Sequence, residues 1–465
     1  MNKLNSNSVL SNFARLVAVL ALLAAVLPVA AAPANAADGI NRYVSPSGIN
    51  TTDCTNAAAP CQTITYALSQ SDLTDGDTLL LDVGVYTENL VIDRNIRIVQ
   101  DPAKACPQNG SLNYEPCAII DGGNSGRVIN IAAVSLVVSL EKLTIQNGYL
   151  TESSTNKSGA GIFNNGTLII DDVTLHDNTI SGSTYIYRGG AIDNQNTLTI
   201  RGSSVHDNFA YDGGGITSAG PLTVQNTEIY DNSAARFGGG IWIPYGNPST
   251  MENSTLWGNS AGSTGGGVFI SNGLLMYLGE AHRFYNVIIS GNSAVVSGGG
   301  LVSYLQVTLD HSTIAQNSAP GSGANLTLFE SQRMSDPPYD HSIIYNTIVS
   351  SPAATDPICS ITGIDTFDLS AGGNLSSDDS CDFNSIIDQE DSDPLLMALA
   401  DNGGHVRTRA ITFGSPAIDQ AGPYILGADA RGITPKDGDL NGSIVPDVGA
   451  FEFVPGSIFL PIVMR

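Results

Sequence analysis

Basic side chains are scarce in this sequence. Lysine and arginine together number 19, against 44 aspartates and glutamates, and the formal net charge is −25. A chain of this charge repels polyanions, so we expect no nucleic-acid partner and no acidic polysaccharide unless cations intervene. Solubility outside the cell is the simplest explanation of the acidity.

Long apolar runs are also missing. The run from Leu16 to Leu27 is shorter than the roughly 20 residues that a helix needs to cross a bilayer. Two basic residues are placed ahead of it, and Ala34-Asn35-Ala36 supplies the small-x-small pattern of a cleavage site. We therefore predict a signal peptide over residues 1–36 and an extracellular or cell-surface protein.

Zinc-type ligand patterns are missing as well, because neither a CxxC spacing nor a histidine cluster accompanies the six cysteines. An even number of cysteines in an exported chain indicates disulfides. Six cysteines allow many pairings, and short loops favour bonds between neighbours. The predicted bonds are Cys54–Cys61, Cys106–Cys117 and Cys359–Cys381.

Glycine, asparagine and threonine, in contrast, recur in a repeating unit. One copy reads GGAIDNQNTLTIRGSSVHDN, from Gly189 to Asn208. Each unit closes on an asparagine, with an aliphatic residue three positions earlier. The closing asparagines, spaced 24 to 33 residues apart, are Asn178, Asn208, Asn232, Asn259, Asn292 and Asn317.

This repeat predicts the fold. Apolar residues alternate within each unit, which is the period of a strand, and a period of 20 to 50 residues indicates stacked units. We predict an all-β fold, a right-handed parallel β-helix solenoid with one unit per coil and glycines at the corners. Aliphatic residues would fill the interior, and the closing asparagines would form a hydrogen-bonded ladder. A leucine-rich repeat lacks its leucine scaffold here, and a β-propeller needs about 40 residues per blade.

Two segments resemble known β-helix families. Gly189-Gly190-Ala191-Ile192 matches the GGAI signature of polymorphic outer-membrane proteins. Their second signature, FxxN, is present here without its phenylalanine. The motifs YVSPSG, PCQTITYALS and GVYTENL resemble the start of pectin-lyase-like β-helices. That resemblance implies an N-terminal cap and first coil over residues 37–100, with a short helix near residues 64–71. The β-helix repeats would follow over residues 101–345.

The C-terminal part carries the densest family motifs. It reads DPLLMALADNGGHVRTRAITFGSPAIDQAG from Asp393 and continues through DARG to PDVGAFEF. These motifs resemble the choice-of-anchor Q domain of exported bacterial β-helix proteins, over residues 346–453. The resemblance implies a structural C-terminal capping region and attachment to the cell envelope. The tail, residues 454–465, is interpreted either as a sorting tag or as a final strand.

Catalytic signatures of the pectin-lyase-like fold are missing. The sequence contains neither the RxPxxR segment of the lyases nor the NTD and RIK elements of the hydrolases. One column, His176-Asp177, His206-Asp207 and Tyr230-Asp231, could bind a metal or exchange protons, or could simply form a variable turn. We expect a non-catalytic protein and keep a polysaccharide lyase or glycoside hydrolase as the alternative.

One calcium motif remains. Asp437, Asp439 and Asn441, followed by Gly442, give the D-x-D-x-N-G start of a calcium loop. The twelfth position, which supplies a bidentate acid in an EF-hand, is Val448, although Asp447 or Glu452 could substitute. We predict a weak structural Ca²⁺ site on Asp437, Asp439 and Asn441, with a metal-free turn as the alternative. No other cofactor is expected.

Together these features predict a surface binding or adhesion protein, or a structural surface module. Its partner would be a surface glycan or a protein, and we expect a monomer. Aromatic residues in the longer loops could stack on sugar rings or pack on neighbouring loops. They are Tyr185, Tyr187, Trp242 and Tyr245.

Overall fold

The computed structural model describes residues 39–106, 116–154, 157–184, 186–271, 282–321, 323–329, 341–351, 356–363, 369–422 and 427–456. The predicted signal peptide and residues 457–465 of the tail lie outside these ranges. No helix in the described part of the chain has the length and apolar character needed to span a membrane.

Nearly all regular structure is β. In chain order the elements are β1 (Asn41–Val44), α1 (Ile64–Leu68), β2 (Thr78–Leu81), β3 (Gly84–Thr87), β4 (Leu90–Ile92), β5 (Ile96–Gln100), β6 (Ala118–Asp121), β7 (Ile129–Ile131), β8 (Val137–Glu141), β9 (Thr144–Gln146), β10 (Tyr149–Thr151), β11 (Ile162–Asn164), β12 (Thr167–Asp171), β13 (Thr174–His176), β14 (Thr179–Ser181), β15 (Ile192–Asn194), β16 (Thr197–Arg201), β17 (Ser204–His206), β18 (Phe209–Asp212), β19 (Ile216–Ser218), β20 (Leu222–Gln225), β21 (Glu228–Tyr230), β22 (Ser233–Phe237), β23 (Ile241–Ile243), β24 (Ser249–Glu252), β25 (Thr255–Trp257), β26 (Ser260–Ala261), β27 (Val268–Ile270), β28 (His282–Tyr285), β29 (Ile288–Ser290), β30 (Ser293–Ala294), β31 (Leu301–Ser303), β32 (Val307–Asp310), β33 (Thr313–Ala315), β34 (Leu326–Phe329), β35 (Ile343–Tyr345), β36 (Ile348–Ser350), β37 (Cys359–Thr362), β38 (Ser370–Gly372), β39 (Leu375–Ser376), β40 (Leu396–Ala400) and β41 (Thr408–Ile411).

The chain winds repeatedly through three long parallel sheets, and each coil adds one strand to each sheet. Sheet A runs β1-β2-β5-β8-β12-β16-β20-β24-β28-β32-β35-β38. Sheet B runs β3-β6-β9-β13-β17-β21-β25-β29-β33-β36-β39, and sheet C runs β4-β7-β11-β15-β19-β23-β27-β31-β34-β37. In the middle coils a fourth, shorter sheet D, β10-β14-β18-β22-β26-β30, lies between sheets B and C. The predicted solenoid architecture is confirmed.

Register places equivalent residues of successive repeats on top of each other. The aliphatic residues three positions before the closing asparagines form one column in sheet B, and all of them are buried in the main core. The column is Leu175, Val205, Ile229, Leu256, Ile289 and Ile314. Burial of such columns from every coil is the main source of stability, since each fully buried aliphatic side chain contributes about 1.5–3 kcal/mol.

The six closing asparagines form the predicted ladder inside the turn after sheet B. Each is buried, and each Nδ2 donates to the Oδ1 of the asparagine in the next coil at 2.9 to 3.0 Å. Asn317 continues the ladder to Asn325. The ladder satisfies amides that the turn would otherwise bury without partners.

Glycines mark the corner before sheet C because no side chain fits there. Gly213 has a φ of +61°, in the left-handed region. A Cβ on Gly214 would lie only 2.3 Å from the carbonyl oxygen of Ser233 in the next coil. The repeated glycine triplets thus allow successive coils to approach closely.

A short helix covers the first coil. Helix α1 is capped by Thr63, whose side chain accepts a hydrogen bond from Tyr66 N, and it buries Ile64, Ala67 and Leu68. The Glu88 carboxylate accepts hydrogen bonds from the first two helical amides, at 2.8 and 2.7 Å. The helix is shorter than residues 64–71, because the chain turns away after Leu68.

All three predicted disulfides are present. Cys54–Cys61, Cys106–Cys117 and Cys359–Cys381 join neighbouring cysteines, with Cα–Cα distances of 5.1, 5.7 and 5.0 Å. No cysteine is left free. Bonded cysteines agree with a non-cytoplasmic protein.

The C-terminal region covers the last coil and one flank of the solenoid. Gln389 bonds to Asn374 and Ser376 at the last coil. The antiparallel pair β40–β41 and the following chain then lie against sheet B, over strands as early as β21. A second core forms there, joining Ile348 and Leu375 of the solenoid to residues such as Ile411 and Phe451.

Candidate binding surface

Four rings stack along the outer face of sheet B. They belong to His176, His206, Tyr230 and Trp257, with ring centroids 5.1, 4.6 and 4.6 Å apart. This is the column that the sequence singled out for its histidines. The aspartates that follow the first three rings occupy the turn with φ near +50°, namely Asp177, Asp207 and Asp231.

The stacked histidines engage their own aspartates. Nδ1 of His176 lies 2.7 Å from Asp177 Oδ2, and His206 makes the same contact with Asp207. Left-handed turn positions favour Asp and Asn, so the turn interpretation accounts for these aspartates without a metal. The column is a structural stack of rings over a repeated turn.

The C-terminal region closes the later part of this stack. The Arg407 guanidinium lies 4.9 Å from the Trp257 ring centroid and 5.9 Å from that of Tyr230. Its Nη1 donates to Glu228 Oε2 at 2.7 Å. Burial raises the pKa of Glu228, and the bonds from Arg407 oppose that rise. The end of the stack formed by Tyr230 and Trp257 is therefore covered by the protein's own chain.

A second strip of aromatic and charged side chains runs along sheet C, the adjoining ends of the sheet D strands β18 and β22, and the turns between them. We name it the sheet C strip. It contains Arg127, Lys157, Phe163, Arg188, Asp193, Tyr211, Asp212, Arg236, Phe237, Trp242, Tyr245, Phe269, Tyr304 and Phe329.

One end of the strip is basic. Arg127 lies over the Phe163 ring at 5.0 Å and donates to Asn130 Oδ1 and to the carbonyl oxygen of Ser158. With Lys157 these residues line a cleft of about 240 Å³. Burial lowers the pKa of Arg127 to about 10. Neither Arg127 nor Lys157 forms an ion pair with any described carboxylate, so two positive charges face this cleft.

The middle of the strip consists of paired charges. Arg188 Nε lies 3.3 Å from Asp193 Oδ2, and Arg236 Nε lies 2.9 Å from Asp212 Oδ1. Both aspartates are fully buried, and desolvation raises their pKa values while the arginines lower them. The arginine side chains remain 22% and 32% exposed. The buried carboxylates thus hold the guanidinium groups at the surface.

The other end of the strip is aromatic. Successive ring contacts join Phe237, Phe269, Tyr304 and Phe329, with centroids 4.6 to 5.9 Å apart. Trp242 lies beside Phe237 at 6.4 Å. Tyr304 is 37% exposed, so a ligand could reach this end of the strip.

The loop aromatics that the sequence proposed have separate environments. Trp242 and Tyr245 belong to the strip, and Tyr245 is 42% exposed. Tyr187 is buried in a small cluster with Leu150 and Ile180, so it offers no ring to a ligand. Tyr185 lies outside the described residues.

The predicted calcium residues lie together in the C-terminal region. Asp437 accepts hydrogen bonds from the amides of Asn441 and Gly442, and Asn441 Nδ2 donates to Asp439 Oδ2. Asp419 is the additional neighbour that sequence spacing did not indicate.

Two buried acidic side chains lie next to this group. Asp447 accepts a hydrogen bond from the backbone amide of Asp419, and Glu452 accepts one from that of Asp447. Burial raises the pKa values of Asp447 and Glu452 to about 7 and about 8.

Comparisons with known proteins agree with the topology. Residues 108–332 match the family model described as right handed beta helix region. The solenoid is a right-handed parallel β-helix. No curated protein sequence matches the chain significantly.

Two solved structures align with most of this chain. The pectate lyase Pel9A aligns with a TM-score of 0.50 at 13% identity, over 89% of this chain and 96% of its own. XylC in complex with xylose aligns with a TM-score of 0.46 at 10% identity, over 89% and 98%. At such identities the similarity concerns the fold alone.

Proposed function

We propose that this protein is an exported, surface-associated binding module whose sheet C strip holds an extended polysaccharide. The strip itself carries this proposal, because it presents arginines and aromatic rings along successive coils, on sheet C and the adjoining parts of sheet D and the turns. Rings of this kind stack on the apolar faces of sugars, and guanidinium groups donate to hydroxyl or carboxylate oxygens. A linear arrangement suits a ligand that is itself long.

The charges of the strip narrow the class of polysaccharide that we expect it to bind. Arg188 and Arg236 are balanced by their aspartates, whereas Arg127 and Lys157 are not. The strip is therefore locally positive on a protein of strongly negative net charge. We expect a polymer with few acidic groups, because a highly charged one would be repelled by the remaining surface.

Catalysis receives less support. Asp193 and Asp212, the two carboxylates of the strip, are buried and ion-paired, so neither is free to act as an acid or a base on a bound ligand. The pectate lyase Pel9A has a similar fold, and we keep a polysaccharide lyase or glycoside hydrolase as the alternative.

A glycan array with the purified protein, run beside product assays on polygalacturonate and alginate, tests the proposal. We expect binding to at least one polysaccharide, weakened at least tenfold by Trp242→Ala. Phe413→Ala, which removes an aromatic residue that is 77% exposed in the C-terminal region, should leave binding unchanged. Release of products would favour the enzyme, and an array without binding would contradict the proposal.

A further inference from the structure

A concentrated acidic cluster lies in the C-terminal region, apart from the sheet C strip. Asp419, Asp437 and Asp439 each contribute a carboxylate oxygen, and these oxygens all lie within 4.8 Å of one another. Within the described ranges this is the one such group of three acidic, histidine or cysteine side chains. Three carboxylates this close repel each other unless a cation or protons compensate.

Asp419 supplies an independent reason to expect a ligand. Asp419 is buried, with only 7% of its surface exposed. One oxygen, Oδ2, accepts a hydrogen bond from Asp439 N at 2.7 Å, while Oδ1 is buried and has no hydrogen-bond partner among the described residues. A buried, unpartnered carboxylate oxygen is costly, and an absent ion is a common explanation for one.

The surrounding charges cannot fill this role. Arg431, the nearest basic residue in the hydrogen-bond network, pairs with Asp429. The exposed Lys436 directs its Nζ to the hydroxyl of Thr434. Asp447 and Glu452 add further acidic groups below the cluster. The cluster thus has an excess of negative charge, which a bound divalent ion would partly offset.

We propose that Asp419, Asp437 and Asp439 bind one Ca²⁺ ion, which links the loop over residues 437–442 to the segment that follows β41. Oxygen ligands from carboxylates are those that Ca²⁺ prefers, and water would complete its shell of six to eight. Asn441 Nδ2 donates to Asp439 Oδ2, and its role as a further ligand stays a prediction. The bound ion would fasten the outer loop of the C-terminal region to the part that covers sheet B.

Calorimetric titration of the chelator-treated protein with CaCl₂ tests this site. We expect one site with a Kd of about 10⁻⁴–10⁻³ M, because only three protein ligands contribute. Thermal unfolding at 10 mM CaCl₂ should shift upward by roughly 1–5 °C relative to EDTA. Mg²⁺ at the same concentration should give a smaller shift, since it dehydrates reluctantly.

Three variants locate the site. Asp419→Asn and Asp439→Asn should each abolish the heat and the shift, and Asp439 is exposed, so its variant retains the fold. Asp401→Asn is the matched control, because exposed Asp401 accepts the amide of Gly403 in a similar turn outside the cluster. Identical melting curves in EDTA and calcium, or a full calcium response in Asp439→Asn, would overturn the proposal.

Discussion

At the scale of single residues, the asparagine ladder shows how one side chain serves two coils. Asn232 Nδ2 donates to the carbonyl oxygens of Val205 and Tyr230 and to Asn259 Oδ1. Its Oδ1 accepts both the backbone N and the Nδ2 of Asn208. An isosteric aliphatic side chain could fill the space but could replace none of these bonds.

Replacing Asn232 with leucine should therefore destabilise the protein strongly. The buried amides of Asn208 would lose their acceptor, at a cost of about 1–3 kcal/mol for each unsatisfied group. Urea unfolding measures the loss. Asn384→Leu, at an exposed asparagine, should change stability by less than about 0.5 kcal/mol. Equal losses in both variants would show that the ladder is not buried.

His282 makes a second prediction at this scale. It lies inside the solenoid, 1% exposed, with Nδ1 2.7 Å from Ser249 Oγ. Burial lowers its pKa from 6.5 to about 4. The unfolded chain therefore binds the proton more readily, and the stability held above pH 6.5 is lost as the pH falls towards 4.

Comparison of the parent protein with His282→Gln isolates this effect. The unfolding free energy of the parent protein minus that of the variant should fall by about 3 kcal/mol as the pH is lowered from 6.5 to 4. Unfolding in urea at several pH values measures it. A difference that stays constant over this range would mean that His282 is exposed to water.

A column of stacked residues could be predicted from the sequence only where its residue type stays the same from repeat to repeat. The closing asparagine is the same residue type in six consecutive repeats, so this column could be predicted from the sequence. The column before the glycine triplets changes from Arg188 to Asp212, Phe237, Thr264 and Ser297, although bridges align these residues. The sequence indicated Trp242 and Tyr245 but not the rest of the strip, because its residues differ in type from coil to coil and are brought together only by the register of the coils.

At the scale of elements, the C-terminal region acts as a flank cover as well as an end cover. The motifs of residues 346–453 predicted a capping region but not the face that it contacts. Pairs such as Arg407–Glu228 and Arg409–Ser290 join residues more than 100 positions apart. Such contacts leave no periodic signal in a sequence.

Arg407→Ala should loosen this cover. The partly buried Glu228 would lose its ion-pair partner, and the Trp257 ring would lose its contact with the Arg407 guanidinium. We expect the free energy of unfolding to fall by about 1–3 kcal/mol. Hydrogen exchange should rise in residues 396–453 while the ladder turns stay protected. Arg97→Ala removes the more exposed pair with Glu141 on sheet A and should cost less than about 1 kcal/mol. Unchanged exchange in Arg407→Ala would contradict the described docking.

At the scale of the whole molecule, the two ring-bearing faces differ in what covers them. The later part of the stack on sheet B is covered by the C-terminal region, whereas the sheet C strip keeps exposed tyrosines and partly exposed arginines. The rigid stack of coils fixes the spacing between the residues of the strip. This difference between the faces makes the strip the place for a polymeric ligand.

The two tryptophans of the chain report on these two faces separately, since Trp242 lies in the strip and Trp257 lies under Arg407. Fluorescence titration of two single-tryptophan variants with a polysaccharide found on the array tests the central claim most directly. Trp257→Phe, which retains Trp242, should show a saturable change in emission, and Trp242→Phe, which retains Trp257, should show none. A saturable change in Trp242→Phe with none in Trp257→Phe would place the ligand on sheet B and contradict the account.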